Sequence, residues 1–251
     1  YSGDVELTNC DIYAESVTSS TAAAVWVYAT GGTLYKDDAN ATKSRCYGEY
    51  AVAGKATINS GKYESFTKTS TAYAAGTATR YKTTYDSETT VQANRKLGGH
   101  AEAYPTLIIH GGTFKATTTT TSAIAISNGG YTTIDGGTFE AYATGRYAYG
   151  LYTLAGKLTA SGVSVTANAT QDAYGAYANV SIPAGNTAQT GFACAGELEL
   201  NNCDITATTR STTEARGVYV NATNKMHTWA GLKADSTSNK WAKTTYDAYK
   251  S

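Results

Sequence analysis

A short pattern of apolar and polar positions recurs along the whole chain. Six segments align without gaps, each with an apolar residue, four polar or small residues and a second apolar residue, and we call this pattern the template. In chain order they are Leu7-Thr-Asn-Cys-Asp-Ile12, Ile58-Asn-Ser-Gly-Lys-Tyr63, Ile109-His-Gly-Gly-Thr-Phe114, Ile134-Asp-Gly-Gly-Thr-Phe139, Ala160-Ser-Gly-Val-Ser-Val165 and Leu200-Asn-Asn-Cys-Asp-Ile205. A small residue stands two positions later, which continues the alternation of a strand with one buried face.

A second strand pattern follows most templates. It reads Val25-Trp-Val-Tyr28, Ile124-Ala-Ile-Ser127, Tyr149-Gly-Leu-Tyr152, Tyr174-Gly-Ala-Tyr177 and Arg216-Gly-Val-Tyr219. The templates end at positions 12, 63, 114, 139, 165 and 205, which are 51, 51, 25, 26 and 40 residues apart. The repeating unit is therefore about 25 residues with two strands, and the longer intervals hold either two units or one unit with an insertion.

A unit this short cannot bury its own inner face, whereas stacked units share one continuous core. The composition agrees, because 25 Gly and 21 Tyr stand beside 2 Pro and 1 Met, a bias toward strands and tight turns. We predict an all-β fold, a single-stranded parallel β-helix or β-solenoid of about six to eight coils with loop insertions. It covers residues 1–222, and residues 223–251 form a C-terminal capping or docking segment.

The two His/Asp-Gly-Gly-Thr-Phe templates and the Ala-Tyr-Gly-x-Tyr strands resemble the right-handed parallel β-helix repeats of large bacterial surface proteins. These are the adhesin-like relatives of the pectate-lyase-type solenoid. The resemblance covers roughly residues 5–222 and implies a fold more than an activity, because adhesins, fibre shafts, lyases and glycosidases share it. The first and last templates depart from it, with Asn9-Cys10 and Asn202-Cys203 in place of Gly-Gly.

Charge argues against two classes of partner. Lys plus Arg and Asp plus Glu number 20 each, and charged residues are 16% of the chain, so nothing favours nucleic acid or an anionic membrane. No apolar run is long enough to cross a bilayer, and we expect no membrane insertion. The chain starts at Tyr1 without a Met or a basic-then-apolar leader, which suggests that it is processed or cut from something longer. We expect an extracellular or cell-surface location.

Four cysteines support that location if they form disulfides. Proximity in sequence favours Cys10–Cys46 and Cys194–Cys203, and the alternative is four small buried residues with free thiols. Cys10 and Cys203 occupy the same template position at opposite ends of the predicted rod. They are too far apart for a bond within one chain, but they approach each other across a head-to-tail joint.

The sequence offers few candidates for catalysis. His110, Asp135 and Ser161 share one template position, but Asp135 lies in the middle, where a catalytic triad requires the histidine. A column of exposed polar side chains along the stack, a polar ladder, accounts for these three residues without catalysis. His100 and His227 have no ligand-spaced partners, so we predict no catalytic residue, cofactor or metal. One loop grouping, Asp37-Asp38 with Lys43 or Arg45, fits a polysaccharide lyase.

The second strands suggest a binding surface. If Val25, Ile124 and Leu151 face inward, Trp26, Gly150, Gly175 and Gly217 face outward, flanked by tyrosines. The predicted wall for glycans or self-association is Trp26, Tyr28, Tyr152, Tyr177 and Tyr219. The alternative is a tyrosine ladder that stabilises the sheet. Arg216 stands in the inward phase, so either the final coil opens there or Arg216 pairs with a carboxylate such as Glu214. Residues 30–50, 80–103 and 183–192 interrupt the repeat, which predicts protruding loops or partial coils there.

These observations favour a non-catalytic extracellular structural protein, a self-assembling fibre subunit or adhesin shaft whose copies join end to end. A carbohydrate-binding surface module is the alternative, and a polysaccharide lyase is less favoured. We expect no enzymatic activity.

Overall fold

The computed structural model describes residues 3–36, 44–85, 105–179, 197–211 and 213–221, and within them the chain forms strands and turns without a helix. Side chains are described for 3–28, 54–78, 105–179 except 155, and 197–221 except 212. The strands are β1 Gly3–Leu7, β2 Cys10–Ser16, β3 Ala22–Lys36, β4 Ser44–Ile58, β5 Gly61–Thr67, β6 Ala72–Tyr85, β7 Thr106–Ile109, β8 Thr113–Thr118, β9 Ser122–Ile134, β10 Thr138–Ala143, β11 Tyr147–Ser161, β12 Ser164–Ala169, β13 Ala173–Asn179, β14 Glu197–Asn201, β15 Asp204–Thr209 and β16 Ala215–Asn221.

The strands pair in parallel to form three ladders. The first ladder is β1-β4-β7-β9-β11-β14, the second is β2-β5-β8-β10-β12-β15, and the third is β3-β6-β9-β11-β13-β16. The long strands β9 and β11 belong to both the third and the first ladders. We number the positions along each ladder as levels 1 to 6. The all-β architecture with parallel sheets is confirmed, and it is consistent with a parallel β-solenoid.

The register shows what the uneven template spacing means. Ile12 pairs directly with Tyr63, and Tyr63 with Phe114, so each 51-residue interval spans a single step between levels. The 40-residue interval is also one step, because Val165 pairs with Ile205. Each long interval is therefore one unit with an insertion, the second of the two predicted possibilities.

Each level contains three strands, one more than the sequence predicted. The unpredicted strands belong to the first ladder and end at the first apolar residue of the template, as β7 does at Ile109. The second ladder begins around the second apolar residue, as β8 does at Thr113–Thr118. The template is thus a corner between two faces, and its two apolar ends both point into the core.

The core consists of columns of equivalent residues. In the second ladder Tyr63, Phe114 and Phe139 are fully buried, and their rings stack with centroids 4.8 and 5.0 Å apart and planes 13° from parallel. Equivalent residues at levels 1 and 6, Ile12 and Ile205, are only partly buried. The column is continuous inside the stack and ends in solvent.

The template corner explains why asparagine replaces glycine at the end levels. In three corners the fourth template residue has φ between 113° and 125°, and all three residues are glycines: Gly61, Gly112 and Gly137. In the other three the third residue is left-handed, with φ of 53° at Asn9, 63° at Gly162 and 51° at Asn202. Asparagine tolerates the left-handed region, whereas the larger φ values favour glycine alone. The two templates with Asn-Cys in place of Gly-Gly therefore form a different turn from the templates with glycine at the fourth position.

A buried polar network fills another corner. The Asn128 Oδ1 atom accepts hydrogen bonds from the hydroxyls of Thr77 at 3.2 Å and Thr132 at 2.8 Å. Its Nδ2 atom donates to Thr153 Oγ1 at 3.0 Å. All four residues are buried, and the network connects levels 2, 3 and 4. Buried amides require such partners, so this corner has a specific register.

The first insertion extends the sheet away from the stack. Strand β3 continues past the third ladder and pairs antiparallel with the start of β4, from Ala29 opposite Ala53 to Lys36 opposite Ser44. Strand β6 runs alongside as far as Tyr85. Parts of residues 30–50 and 80–103 are therefore strands and not loops. Residues 37–43, 86–104 and 183–192 lie outside the described residues.

Candidate functional site

The third ladder carries the aromatic surface, but with a phase that differs from the prediction. Gly150 and Gly175 face the interior: a Cβ on Gly150 would lie 2.2 Å from Val165 Cγ1, and one on Gly175 would lie 2.2 Å from Ile205 Cγ2. The expected strip of outward glycines at these positions is wrong. The strict alternation fails because Gly150 and Leu151 are both buried, whereas Tyr149 and Tyr152 on either side of them are partly exposed and pack against each other on the outer surface.

The register also shifts the aromatic alignment by two residues. Trp26 pairs in register with Gly76, Gly76 with Ser127 and Ser127 with Tyr152. Trp26 and Tyr152 therefore lie in the same column of the third ladder. Tyr152 pairs in turn with Tyr177, and Tyr177 with Tyr219, so these three tyrosines and Trp26 do share a column. Tyr28 lies two positions further on, opposite Ala78.

The five tyrosines of levels 4 to 6 form one packed group, which we call the tyrosine cluster. Its members are Tyr149, Tyr152, Tyr174, Tyr177 and Tyr219. Neighbouring ring centroids are 4.8 to 5.4 Å apart, the separation of favourable aromatic pairs. Tyr174 and Tyr177 are only 7% and 8% exposed. Most of the ring surface therefore contacts other tyrosines, as in the sheet-stabilising alternative.

Burial controls the ionisation of the cluster. Burial, and to a smaller extent the nearby carboxylate of Asp172, raises the pKa of Tyr174 to about 12. Burial likewise raises the pKa of Tyr149, followed by the effect of Tyr152. Asn221 Nδ2 donates to the Tyr177 hydroxyl at 2.9 Å and opposes the rise in the pKa of Tyr177 that burial causes. Tyr149, Tyr152, Tyr174 and Tyr177 are therefore neutral phenols at physiological pH.

A second, smaller aromatic group lies at levels 1 and 2. The Trp26 indole packs edge-on against Tyr73 at 4.8 Å and covers Gly76, where a Cβ would lie 2.6 Å from Trp26 Cζ3. Tyr28 lies 6.1 Å from Trp26 and is 43% exposed. Gly76 is thus an outward glycine beside an aromatic wall, and the indole fills it. Tyr28 offers the most accessible ring of the predicted wall.

Arg216 belongs to the outer surface and not to the inward phase expected from the sequence. It pairs in register with Tyr174. Its guanidinium lies 2.7 Å from Glu214 Oε1, the partner that the sequence suggested, and 4.0 Å above the Tyr219 ring. The arginine therefore covers the end of the tyrosine cluster at level 6.

The polar ladder at the template corner is present. His110 Nδ1 and Asp135 Oδ2 are 2.8 Å apart at adjacent levels, and both side chains are about half exposed. Ser161 follows at the next level, on the far side of Asp135. Asn59 continues the ladder by donating to Glu6 Oε1 at 2.7 Å. This order does not place the imidazole between a hydroxyl and a carboxylate, so the ladder lacks triad geometry.

Other chemical candidates fall largely outside the described part of the chain. Asp37-Asp38, Lys43, His100 and His227 are not described, and neither is the Arg45 side chain. Among the described residues no group of three or more His, Cys, Asp or Glu side chains is placed to hold a metal ion. That same part of the chain contains no helix suited to membrane crossing.

The two ends of the stack share one feature: core residues reach solvent there. At level 1, Val5 is 50% exposed although its level 2 partner Ala56 is buried. At level 6, Val218 and Val220 are 54% and 60% exposed, whereas their partners Ala176 and Ala178 are buried. Among the described residues no strand pairs with the outer edge of β1 or β2, nor with that of β14, β15 or β16.

The structure does not support the expected disulfides. Cys10 and Cys203 both carry free thiols. Cys46 lies on β4, twelve residues before Ile58, and Ile58 pairs with Leu7 close to Cys10. Twelve extended residues span about 40 Å, well beyond disulfide reach. Cys194 lies outside the described residues. Cys10 and Cys203 do occupy equivalent template positions, at level 1 and level 6 respectively.

Comparison of the chain with protein-family models, with curated proteins and with solved structures found no match. The site therefore has to be interpreted from its own geometry.

Proposed function

We propose that this chain is a non-catalytic structural protein, a parallel β-solenoid of six coils whose copies associate end to end. In this role it is a subunit of a self-assembling extracellular fibre or the shaft of an adhesin. The observation that carries the proposal is the exposed end of the core: Val5, Val218 and Val220 are each at least half exposed, while the equivalent residues between them are buried. Exposed apolar surface beside unpaired strand edges favours association.

The two ends are matched in shape. Continuing the register across a joint places Leu198 opposite Val5, Leu200 opposite Leu7 and Ile205 opposite Ile12. The template corners at both ends also have the same backbone conformation, with φ of 53° at Asn9 and 51° at Asn202. The two ends therefore present apolar residues at matching positions.

Charged substitutions at the ends test the proposal. We expect Val5→Lys and Val220→Lys each to lower association by about tenfold or more, because a charge at an apolar contact costs more than about 1.4 kcal/mol. Leu154→Lys is the matched control, since Leu154 is 36% exposed on the side of the stack. Sedimentation velocity over a concentration series measures the effect. Equal association of all three variants and the unmodified chain would refute end-to-end contact.

Carbohydrate binding is a second candidate, supported by the exposed Tyr28 ring beside Trp26. We expect Tyr28→Ala to reduce retention on a polysaccharide column, because aromatic rings stack on the apolar faces of sugars. Tyr131→Ala is the control, since Tyr131 is 47% exposed on another face. Unchanged retention of the Tyr28 variant would remove this candidate. The lyase alternative rests on Asp37, Asp38, Lys43 and Arg45, and a test for unsaturated products of uronate polymers addresses it.

A further inference from the structure

Direct contact between level 6 of one copy and level 1 of the next would place like charges opposite each other. The register aligns Asp4, Glu6 and Asp11 with Glu197, Glu199 and Asp204, respectively. Inside the stack the same ladders place opposite charges side by side: Lys55 faces Asp4, Lys62 faces Asp11 and Lys115 faces Glu140. Like charges directly opposite on neighbouring strands are destabilising. The direct joint therefore breaks a rule that the rest of the molecule follows.

Level 1 is the more acidic of the two ends. Residues 3–28 contain Asp4, Glu6, Asp11 and Glu15 and no Lys, Arg or His, a formal charge of −4. Among the described residues Asp4 and Asp11 make no ion pair. The surface that faces the next copy is thus apolar at Val5 and negative around it.

Level 6 is partly neutralised by the chain itself, which pairs two of its four acidic side chains. Glu199 lies 2.7 Å from Lys157 Nζ, and Glu214 lies 2.7 Å from Arg216 Nη2. A cationic partner therefore gains more at level 1 than at level 6.

The C-terminal segment, residues 222–251, has the complementary chemistry. It contains five Lys and two Asp, a formal charge of 5 − 2 = +3, together with Trp229, Leu232, Trp241 and Tyr246. Its 30 residues exceed the 25 and 26 residues that separate Phe114, Phe139 and Val165 at successive levels. The segment is long enough to form one further level.

We infer that residues 222–251 of one copy dock on the level 1 edge of the next copy, as a basic layer between level 6 and that acidic edge. The inference rests on the proposed end-to-end association and assigns the contact that makes it. The segment follows level 6 directly in sequence, so a head-to-tail arrangement brings the level 1 edge of the next copy close to the point where the segment begins. Reaching level 1 of its own chain would require crossing five steps of about 4.8 Å, about 24 Å, and would leave the joint unfilled.

Charge reversal in the full chain tests the inference, because the two joints predict opposite signs. With the basic segment at the joint, Asp11→Lys should weaken association about tenfold. Combining it with Lys233→Glu and Lys240→Glu should restore association. In a direct joint, Asp11→Lys would face Asp204 and strengthen association instead. Glu140→Lys, on the same ladder at level 4, is the control for the change in net charge. Circular dichroism confirms that each variant is folded, and sedimentation velocity measures association.

The outcomes separate the two proposals. Weakening by Asp11→Lys with restoration by the lysine substitutions supports the inference. Strengthening, or no difference from Glu140→Lys, overturns it and leaves end-to-end association intact. An unmodified chain that stays monomeric at every concentration refutes both the association and the inference.

Discussion

The middle levels and the end levels have the same strands and the same register but differ in what covers them. Phe139 at level 4 is fully buried between two neighbours, whereas Ile205 in the same column at level 6 is only partly buried. The same contrast holds in the third ladder, where Val218 and Val220 are exposed at level 6 although their level 5 partners Ala176 and Ala178 are buried. A solenoid stabilises each level through its neighbours, so its terminal levels are weaker and more available for contact. Stability and the proposed association thus follow from one geometry.

The largest expected difference between the two regions is in the second-ladder core. Phe139→Ala removes a fully buried ring that stacks on Phe114, and we expect the free energy of unfolding to fall by about 3–5 kcal/mol. Ile205→Ala in the same column should cost about 1–2 kcal/mol, because part of the side chain is already in solvent. Denaturant unfolding measures both. Equal losses would show that the end levels are as well covered as the middle.

The polar network at level 3 should show the next largest effect. Asn128→Ala leaves the buried hydroxyls of Thr77, Thr132 and Thr153 without this partner, and we expect a loss of about 2–3 kcal/mol. Asn221→Ala at level 6 removes one partly buried hydrogen bond to Tyr177 and should cost about 1 kcal/mol or less. Thermal and chemical unfolding test the ranking. A smaller loss for Asn128→Ala than for Asn221→Ala would contradict it.

The two kinds of template corner should respond differently to substitution. Gly137 has φ of 115°, and a Cβ there would lie 2.9 Å from the Gly112 carbonyl oxygen, so Gly137→Ala should cost about 1–3 kcal/mol. Asn202→Gly at level 6 keeps a permitted conformation and should change stability by less than about 1 kcal/mol. Unfolding midpoints compare the two. A tolerated alanine at Gly137 would show that its corner does not depend on glycine.

Ionisation of Tyr149 and Tyr174 should not affect the stability of the fold at neutral pH, but it should lower that stability in alkali. An unfolded tyrosine has a pKa of about 10, and burial raises the pKa values of Tyr149 and Tyr174 above it. Between pH about 10 and 12 the unfolded chain therefore binds fewer protons than the native one, and the free energy of unfolding falls as pH rises. Denaturant unfolding at several pH values measures the slope. Combining Tyr149→Phe with Tyr174→Phe keeps the rings and should flatten it; an unchanged slope would contradict this.

Much of the fold could be predicted from the sequence because the repeat is local. The six templates align in the structure residue by residue, so the apolar spacing was sufficient to set the second ladder. The first ladder was missed because its strands, such as β7 with Thr106–Ile109, are short and end inside the template. The available signal was an apolar residue two positions before five of the six templates: Val5, Ala56, Leu107, Leu158 and Leu198.

The aromatic surface was harder to predict because period-2 alternation fails there. Gly150 and Leu151 both point into the core, and a period-2 pattern does not predict two adjacent inward residues, so the outward position of Tyr149 could not be predicted. The Arg216–Glu214 pair was found from sequence because the two residues are close along the chain. The charges at levels 1 and 6 were visible in the sequence, but their alignment across a joint required the register.

Electron microscopy of the unmodified chain over a concentration series tests the central claim most directly. If the exposed ends of the core are association surfaces, rods of constant width should lengthen with concentration in steps of one chain. Their axial repeat should equal the height of one stack plus the joint. Rods that keep the length of a single chain at every concentration would contradict the account, and side-by-side bundles without lengthening would place the contact on a face of the stack instead.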